Sequence, residues 1–342
     1  MRSFGYRSHS GIIPALAALF AAATPAAAED FYRGKQISMI VGFAPGGGYD
    51  IYARIVASAL PRHIPGSPTI VLRHMQGAGS AIAANFLHSG PASRDGLTIG
   101  ATGQGLLLAQ ALKDSSVKFD LREFNWLGRV ARSVEMTVAW HTSPIKTFAD
   151  VQNQELMLAT TSAGSTTHSL PLLMQRVTGA KFMLVTGYKG VTESALAMER
   201  GEVQGAHATV DGLLFSKANW LQARKISVLV QYGMVRHPSF PDTPAMTELG
   251  KTEDDRKILS LFAAPAEVGR SYLAPPGIPS ERLEILRRAF AAMLDDPAFA
   301  REFAEKKLSF DPMKAAPLQQ LIANAVAITP ELAERAVALS RE

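Results

Sequence analysis

Two short stretches hold the residue types best suited to chemistry. The first, VGFAPGGGYD, places Phe43, Pro45, Gly46, Gly47, Gly48 and Tyr49 ahead of Asp50, between an apolar run and the helical pattern IYARIVASAL. Bare backbone at a strand-to-helix turn presents unpaired N–H groups and about half a positive charge, so anions settle there. A phosphate loop would need G-x-x-x-x-G-K-[ST], yet Tyr49 and Asp50 follow the glycines and no lysine does. The dinucleotide pattern G-x-G-x-x-G is also missing, and Gly103 with Gly105 supplies only two of its glycines. What remains is an amide cradle suited to a carboxylate, with a tight turn capped by Asp50 as the plainer alternative.

The second stretch runs from Thr160 to His168 as TTSAGSTTH, a cluster of hydroxyls that can donate both N–H and O–H to an oxyanion. A hydrolase would use Ser165 as nucleophile and His168 as its base. The elbow G-x-S-x-G is missing, however, and no acidic partner lies near in sequence. Simple helix capping is the third reading. The eight histidines are scattered without H-E-x-x-H or another ligand spacing, so neither a metal nor a cofactor is expected. Glu193, Glu199 and Glu202 read as a solvated helix face, and no acid/base pair stands out.

Both stretches need the same scaffold to position them, a strand entering a turn and a helix leaving it. Short apolar, β-branched runs predict strands at 36–44, 69–75, 97–103, 134–141, 156–160, 181–188, 203–209 and 226–233. Helical spacing marks 51–60, 80–90, 167–177 and 192–200 between them. Such alternation indicates parallel sheets covered by helices, with 134–233 as a second lobe. Beyond Arg236 a proline-rich loop leads to the apolar run LSLFAAP. Helices then dominate, from 281 to 296, from 297 to 307 and from Leu318 onward. Thr147 and Ser280 are placed to cap helices.

Composition sets the outer bounds. The 342 residues are 47% hydrophobic and 19% charged, enough for a sizeable core. Arg2 and Arg7 precede an apolar stretch over 11–23 and the small residues TPAAA, which reads as a signal peptide over residues 1–28. Interrupted by Pro14, that stretch is shorter than the roughly 20 strongly apolar residues a membrane span needs. The net charge of +5 falls close to balance without the leader's two arginines, unlike a nucleic-acid-binding surface. With no cysteine, disulfides and thiolate metal sites are excluded.

The opening pattern F-Y-x-G-K-x-I-x-x-I-V-x-F-x-P-G-G-G-x-D-x-x-A-R over 31–54 resembles that of the Bug or TctC-like family, the periplasmic solute receptors of tripartite tricarboxylate transporters. M-Q-G-A-G-S at 75–80, D-G-L-T-I-G at 95–100, Y-K-G at 188–190, R-G-E-V at 200–203 and L-A-P-P-G-I-P at 273–279 extend the resemblance over most of the chain. It implies a two-lobe α/β fold of the type II periplasmic-binding-protein kind, each lobe a mixed, mostly parallel sheet covered by helices, with the ligand cleft between lobes. Lobe 1 would comprise 29–132 plus 234–342, and lobe 2 would comprise 133–233.

The resemblance further implies a ligand carboxylate held by the Gly46 and Gly47 amides within a cradle from Phe43 to Asp50. Opposite would stand Thr161, Ser162, Gly164, Ser165 and Thr166, with Thr102, Gly103, Tyr188, Gly190 and Thr209 bordering the cleft. Phe43, Tyr49 and Tyr188 would cover the ligand's body. One departure is visible: Ala206-His207-Ala208-Thr209 stands where family members often carry an acid, and Asp211 follows slightly later. An amino-bearing ligand is therefore not favoured by this pattern. The expected function is periplasmic capture of a di-, tri- or aromatic carboxylate by a monomer that delivers it to membrane transporter subunits. A secreted hydrolase and a sensory receptor are the rivals.

Overall fold

The computed structural model describes Met1 and residues 31–90, 94–161 and 165–340. Residues 2–28 of the expected leader, together with Ser162 and Gly164, lie outside these. In chain order the elements are β1 (Gln36–Val41), α1 (Gly48–Ala59), β2 (Thr69–His74), α2 (Ala81–His88), β3 (Thr98–Ala101), α3 (Leu106–Ala111) and β4 (Asn125–Arg129). The chain then crosses to β5 (Glu135–Trp140), α4 (Phe148–Asn153), β6 (Leu156–Ala159), α5 (Thr166–Thr178), β7 (Phe182–Val185), α6 (Val191–Glu199), β8 (Gly205–Thr209), α7 (Ala218–Gln222) and β9 (Ile226–Tyr232). Last come α8 (Glu253–Val268), β10 (Ser271–Ala274), α9 (Ser280–Asp295), α10 (Pro297–Glu305), β11 (Met313–Lys314), α11 (Ala315–Val326) and α12 (Pro330–Ser340).

Two open sheets result. The first has the order β11-β4-β10-β3-β1-β2 and the second β7-β6-β8-β5-β9. β1 pairs in parallel with β2 and β3, whereas β10 runs antiparallel between β3 and β4. In the second sheet β6 is parallel to β7 and β8, and β5 runs antiparallel between β8 and β9. The mixed, helix-covered sheets expected from the sequence are present.

The strand sequences explain this layering. Along β1 the side chains of Ile37, Met39 and Val41 enter a core shared with α1, α9 and α10, while Ile40 faces the opposite core with α2, α3 and α11. A strand buried on both faces must be largely apolar, and β1 is so over Met39, Ile40 and Val41. In the second sheet Leu156 and Leu158 of β6 enter one core and Ala159 the other. The first of these also takes in Ile258, Leu259 and Phe262 of α8 and Ala336 of α12, so these later helices pack on the second sheet.

Three local features differ from expectation. β4 is not among the expected strands: it is buried from Trp126 to Arg129, but Gly128 and the cation Arg129 cut short its apolar run. The apolar run LSLFAAP is the C-terminal half of helix α8, which begins at a capping box between Thr252 and Asp255. Ser280 is the first residue of α9 and makes no side-chain cap; Thr147, by contrast, caps α4 through Asp150.

Candidate functional site

The first turn is built around Asp50. It lies in the first turn of α1 and is only 2% exposed. Its carboxylate accepts from the Gly46 N–H at 2.8 Å and Arg54 Nε at 2.9 Å, and lies 2.7 Å from His74 Nε2 at the end of β2. Burial would raise its pKa, but the bonds to Arg54, Gly46 and His74 outweigh that and hold it at about 2. The Gly46 amide therefore serves Asp50 within the turn. Residues 44–48, including Pro45 and Gly47, are exposed at the rim.

Beneath that rim the aromatic residues gather a cation that the turn itself lacks. Phe43 stacks on Tyr49 with centroids 4.2 Å apart and planes 13° from parallel. The Arg270 guanidinium lies over the same ring, 4.1 Å from its centroid. Two groups cannot share one face at these distances, so Tyr49 is sandwiched between them. The guanidinium also reaches the start of α1, where a Cβ built on Gly48 would lie 3.2 Å from Nη2. Among the described residues no acid forms an ion pair with Arg270, and its Nε is buried without a partner. The Tyr49 hydroxyl accepts the Gln104 N–H at 2.9 Å.

Arg270 is placed from the backbone. Its N–H donates to Ala131 O at 2.8 Å, and its carbonyl accepts from Val130 N at 3.0 Å, so it is stitched to the segment that crosses from β4 to β5. Gly269 makes that approach possible. It has φ of +50°, and a Cβ there would collide with the Ala131 carbonyl.

On the facing side, the Thr161, Ser165 and Thr167 hydroxyls form a ring with separations of 2.8 to 2.9 Å. Thr161 N–H also donates to Thr167 Oγ1 at 3.0 Å. His168 is buried in the first turn of α5. Nearby, Glu135 opens β5 and sits opposite Thr209 and Tyr232 in the ladder. Its Oε2 lies 2.7 Å from Nε2 of His207, whose ring stacks on Tyr232 at 5.3 Å. Burial would raise the Glu135 pKa; the bond and charge of His207, the Thr166 hydroxyl and the charge of Arg270 outweigh it and hold it low.

These groups enclose a cavity of 420 Å³ lined by both sheets' elements. Of the residues expected from the sequence, Phe43, Tyr49, Thr166 and Thr209 line it. Gly103 lies just behind, where a Cβ would press on Phe43 Cζ at 2.9 Å, and Thr102 is buried beside it. Tyr188 packs against the second sheet's core, and Gly190 precedes α6. Asp211 turns away from the cavity: it accepts from the Tyr52 hydroxyl at 3.3 Å and from both N–H and O–H of Ser309. It joins the lobes.

Sequence reasoning missed Arg270, Glu135 and Gln104, all of which line the cavity. No motif marks them. The available signal was positional, because Arg270 and Glu135 each stand at the start of a strand that runs against its neighbours.

Two open α/β sheets around a shared cavity define the class as a two-lobed solute-binding protein. The chain matches the family described as "Tripartite tricarboxylate transporter family receptor" (TctC) over residues 52–336, and it belongs to that family. The "UPF0065 protein in gbd 5'region" of Cupriavidus necator is 26% identical over 306 residues, covering 87% of this chain and 86% of that one. A TctC solute-binding protein from Polaromonas, solved without ligand, superposes with a TM-score of 0.67 at 17% identity, covering 89% of this chain and 99% of that one. A protein of R. palustris solved with adipate gives 0.62 at 20% identity, covering 88% and 97%. The family and the fold are those of substrate-binding receptors rather than enzymes.

Proposed function

We propose that this receptor works in the periplasm after removal of residues 1–28, where it captures a small organic acid in the interlobe cavity and passes it unchanged to membrane transporter subunits. One observation carries this reading: the Arg270 guanidinium faces a 420 Å³ cavity without an ion pair among the described residues. The planar guanidinium fork matches a carboxylate, and one with no acid paired to it is ready to take one. The adipate bound by the R. palustris neighbour supports the same ligand chemistry. Thr166 and Ser169 supply hydroxyls from the opposite side.

Closure is the mechanism that fits two such half-sites. A ligand held by Arg270 on one lobe and by hydroxyls on the other stabilises only the conformation in which both reach it, and so shifts the hinge population. The rim residues Pro45, Gly46 and Gly47, and Tyr188 and Gly190 across the cleft, would approach the ligand in that step. The protein acts as a monomer.

Calorimetric titration of the mature chain with mono-, di- and tricarboxylates tests the proposal. A saturable heat with at least one acid is expected. No response across aliphatic, aromatic and cyclic acids would overturn it.

A further inference from the structure

The cavity contains a second charge that a simple carboxylate receptor does not require. Glu135 lines it, with its side chain 17% exposed. The group is held in position: His207, 2% exposed at its side chain, meets Oε2 at 2.7 Å and is itself stacked flat on Tyr232, with planes 9° apart. Thr166 donates from the start of α5. A carboxylate has about four acceptor positions, and these two donors leave room for more.

Arg270 and Glu135 thus share one cavity and form no ion pair with each other. A mobile surface pair would collapse together, but these two are held apart, Arg270 by Tyr49 and the backbone of 130–131, Glu135 by His207. Two opposed, separated charges are complementary to a molecule whose own charges are placed in reverse, an anion facing Arg270 and a cation facing Glu135. A ligand carboxylate seated on Arg270 brings its other groups towards Glu135. A second carboxylate there would face a like charge in a medium that screens poorly, whereas an ammonium would gain both charge and hydrogen bonds.

We propose that the ligand is an amino acid or another zwitterionic amino-carboxylate, with Arg270 taking the carboxylate and Glu135 the ammonium group. This inference rests on the carboxylate-capture reading above and narrows it.

The test is calorimetry on the mature chain with the twenty common amino acids and 4-aminobutanoate, set against 2-hydroxy acids of the same skeletons, butanedioate, hexanedioate and citrate. At least one amino-bearing acid should bind tenfold or more tightly than its hydroxy counterpart and than any dicarboxylate. Glu135→Gln should erase that preference and leave the dicarboxylates bound as well or better. If Glu135→Gln does not fold, Glu135→Asp and the selectivity of the unaltered protein still decide the matter. A dicarboxylate or hydroxy acid that binds the unaltered protein as tightly as the best amino acid overturns the zwitterion and leaves carboxylate capture standing. Absence of binding by every acid overturns both.

Discussion

The two sheets share one strand order and differ in when the chain inserts the reversed strand. In the first sheet β10 arrives after β1 to β4, to lie between β3 and β4; in the second β5 arrives first, before the strands β8 and β9 that flank it. A reversed strand starts at the edge where its parallel neighbours end, and ligands of open α/β sheets bind at that edge. Arg270 directly precedes β10, and Glu135 is the first residue of β5. The corresponding position therefore carries opposite charge in the two lobes. The comparison separates two kinds of residue: the turns after parallel strands hold groups that bond one another, Gly46 with Asp50 and Thr161 with Ser165 and Thr167, and the starts of the reversed strands bring opposite charges to the cavity.

The sharpest way to break that comparison is to remove the positive member. Arg270→Gln should weaken binding of any carboxylate by about 100-fold, because hydrogen bonds to a charged partner contribute roughly 1.5–3 kcal/mol and the remaining donors are neutral. Calorimetry with a ligand of the unaltered protein would show it. Affinity retained within threefold would mean that the turns, not the reversed strand, anchor the anion.

A smaller effect is expected where the first turn is locked. Asp50→Asn removes the shared acceptor of Gly46, Arg54 and His74 and should cost about 1–2 kcal/mol of stability at neutral pH. Because the folded-state pKa of about 2 lies below the ordinary 3.8, Asp50 contributes fully above roughly pH 4 and loses its contribution as pH falls towards 2. Urea unfolding of both proteins from pH 2 to 6 should show the gap narrowing on the acid side. A gap independent of pH would detach the effect from the carboxylate's charge.

Least is expected from the second turn, where three hydroxyls satisfy one another. Ser165→Ala should lower affinity roughly fivefold at most, in line with about 1 kcal/mol for a neutral hydrogen bond. Neither protein should turn over an ester. Turnover by the unaltered chain that Ser165→Ala abolishes would restore the hydrolase reading.

Much of this was legible in the residues. Strand, glycine turn and helix recur with local signatures, and the apolar run of β1 announces a strand buried on both faces. The family motif adds the cleft and its two turns. Arg270 and Glu135 were hidden for a topological reason: each acquires its place from strand insertion, a contact made with partners far away in sequence, and neither belongs to a repeating pattern. Gly46 shows the converse limit. Its type fits a ligand amide, but an acid four residues later accepts its N–H, and only coordinates reveal which acceptor wins.

The contact of Asp211 with Tyr52 and Ser309 has a mechanical meaning. It sits beside the segment that crosses from β4 to β5, in a small recess with Arg132, Ser133 and Val134. In a rotation of one lobe about that segment, displacement grows with distance from the axis, so a contact placed here travels least. It can stay made while the rim sweeps through its full arc. On the closure proposed above, Asp211 would be the pin of the hinge, fixing where the lobes turn and leaving the ligand to decide how far.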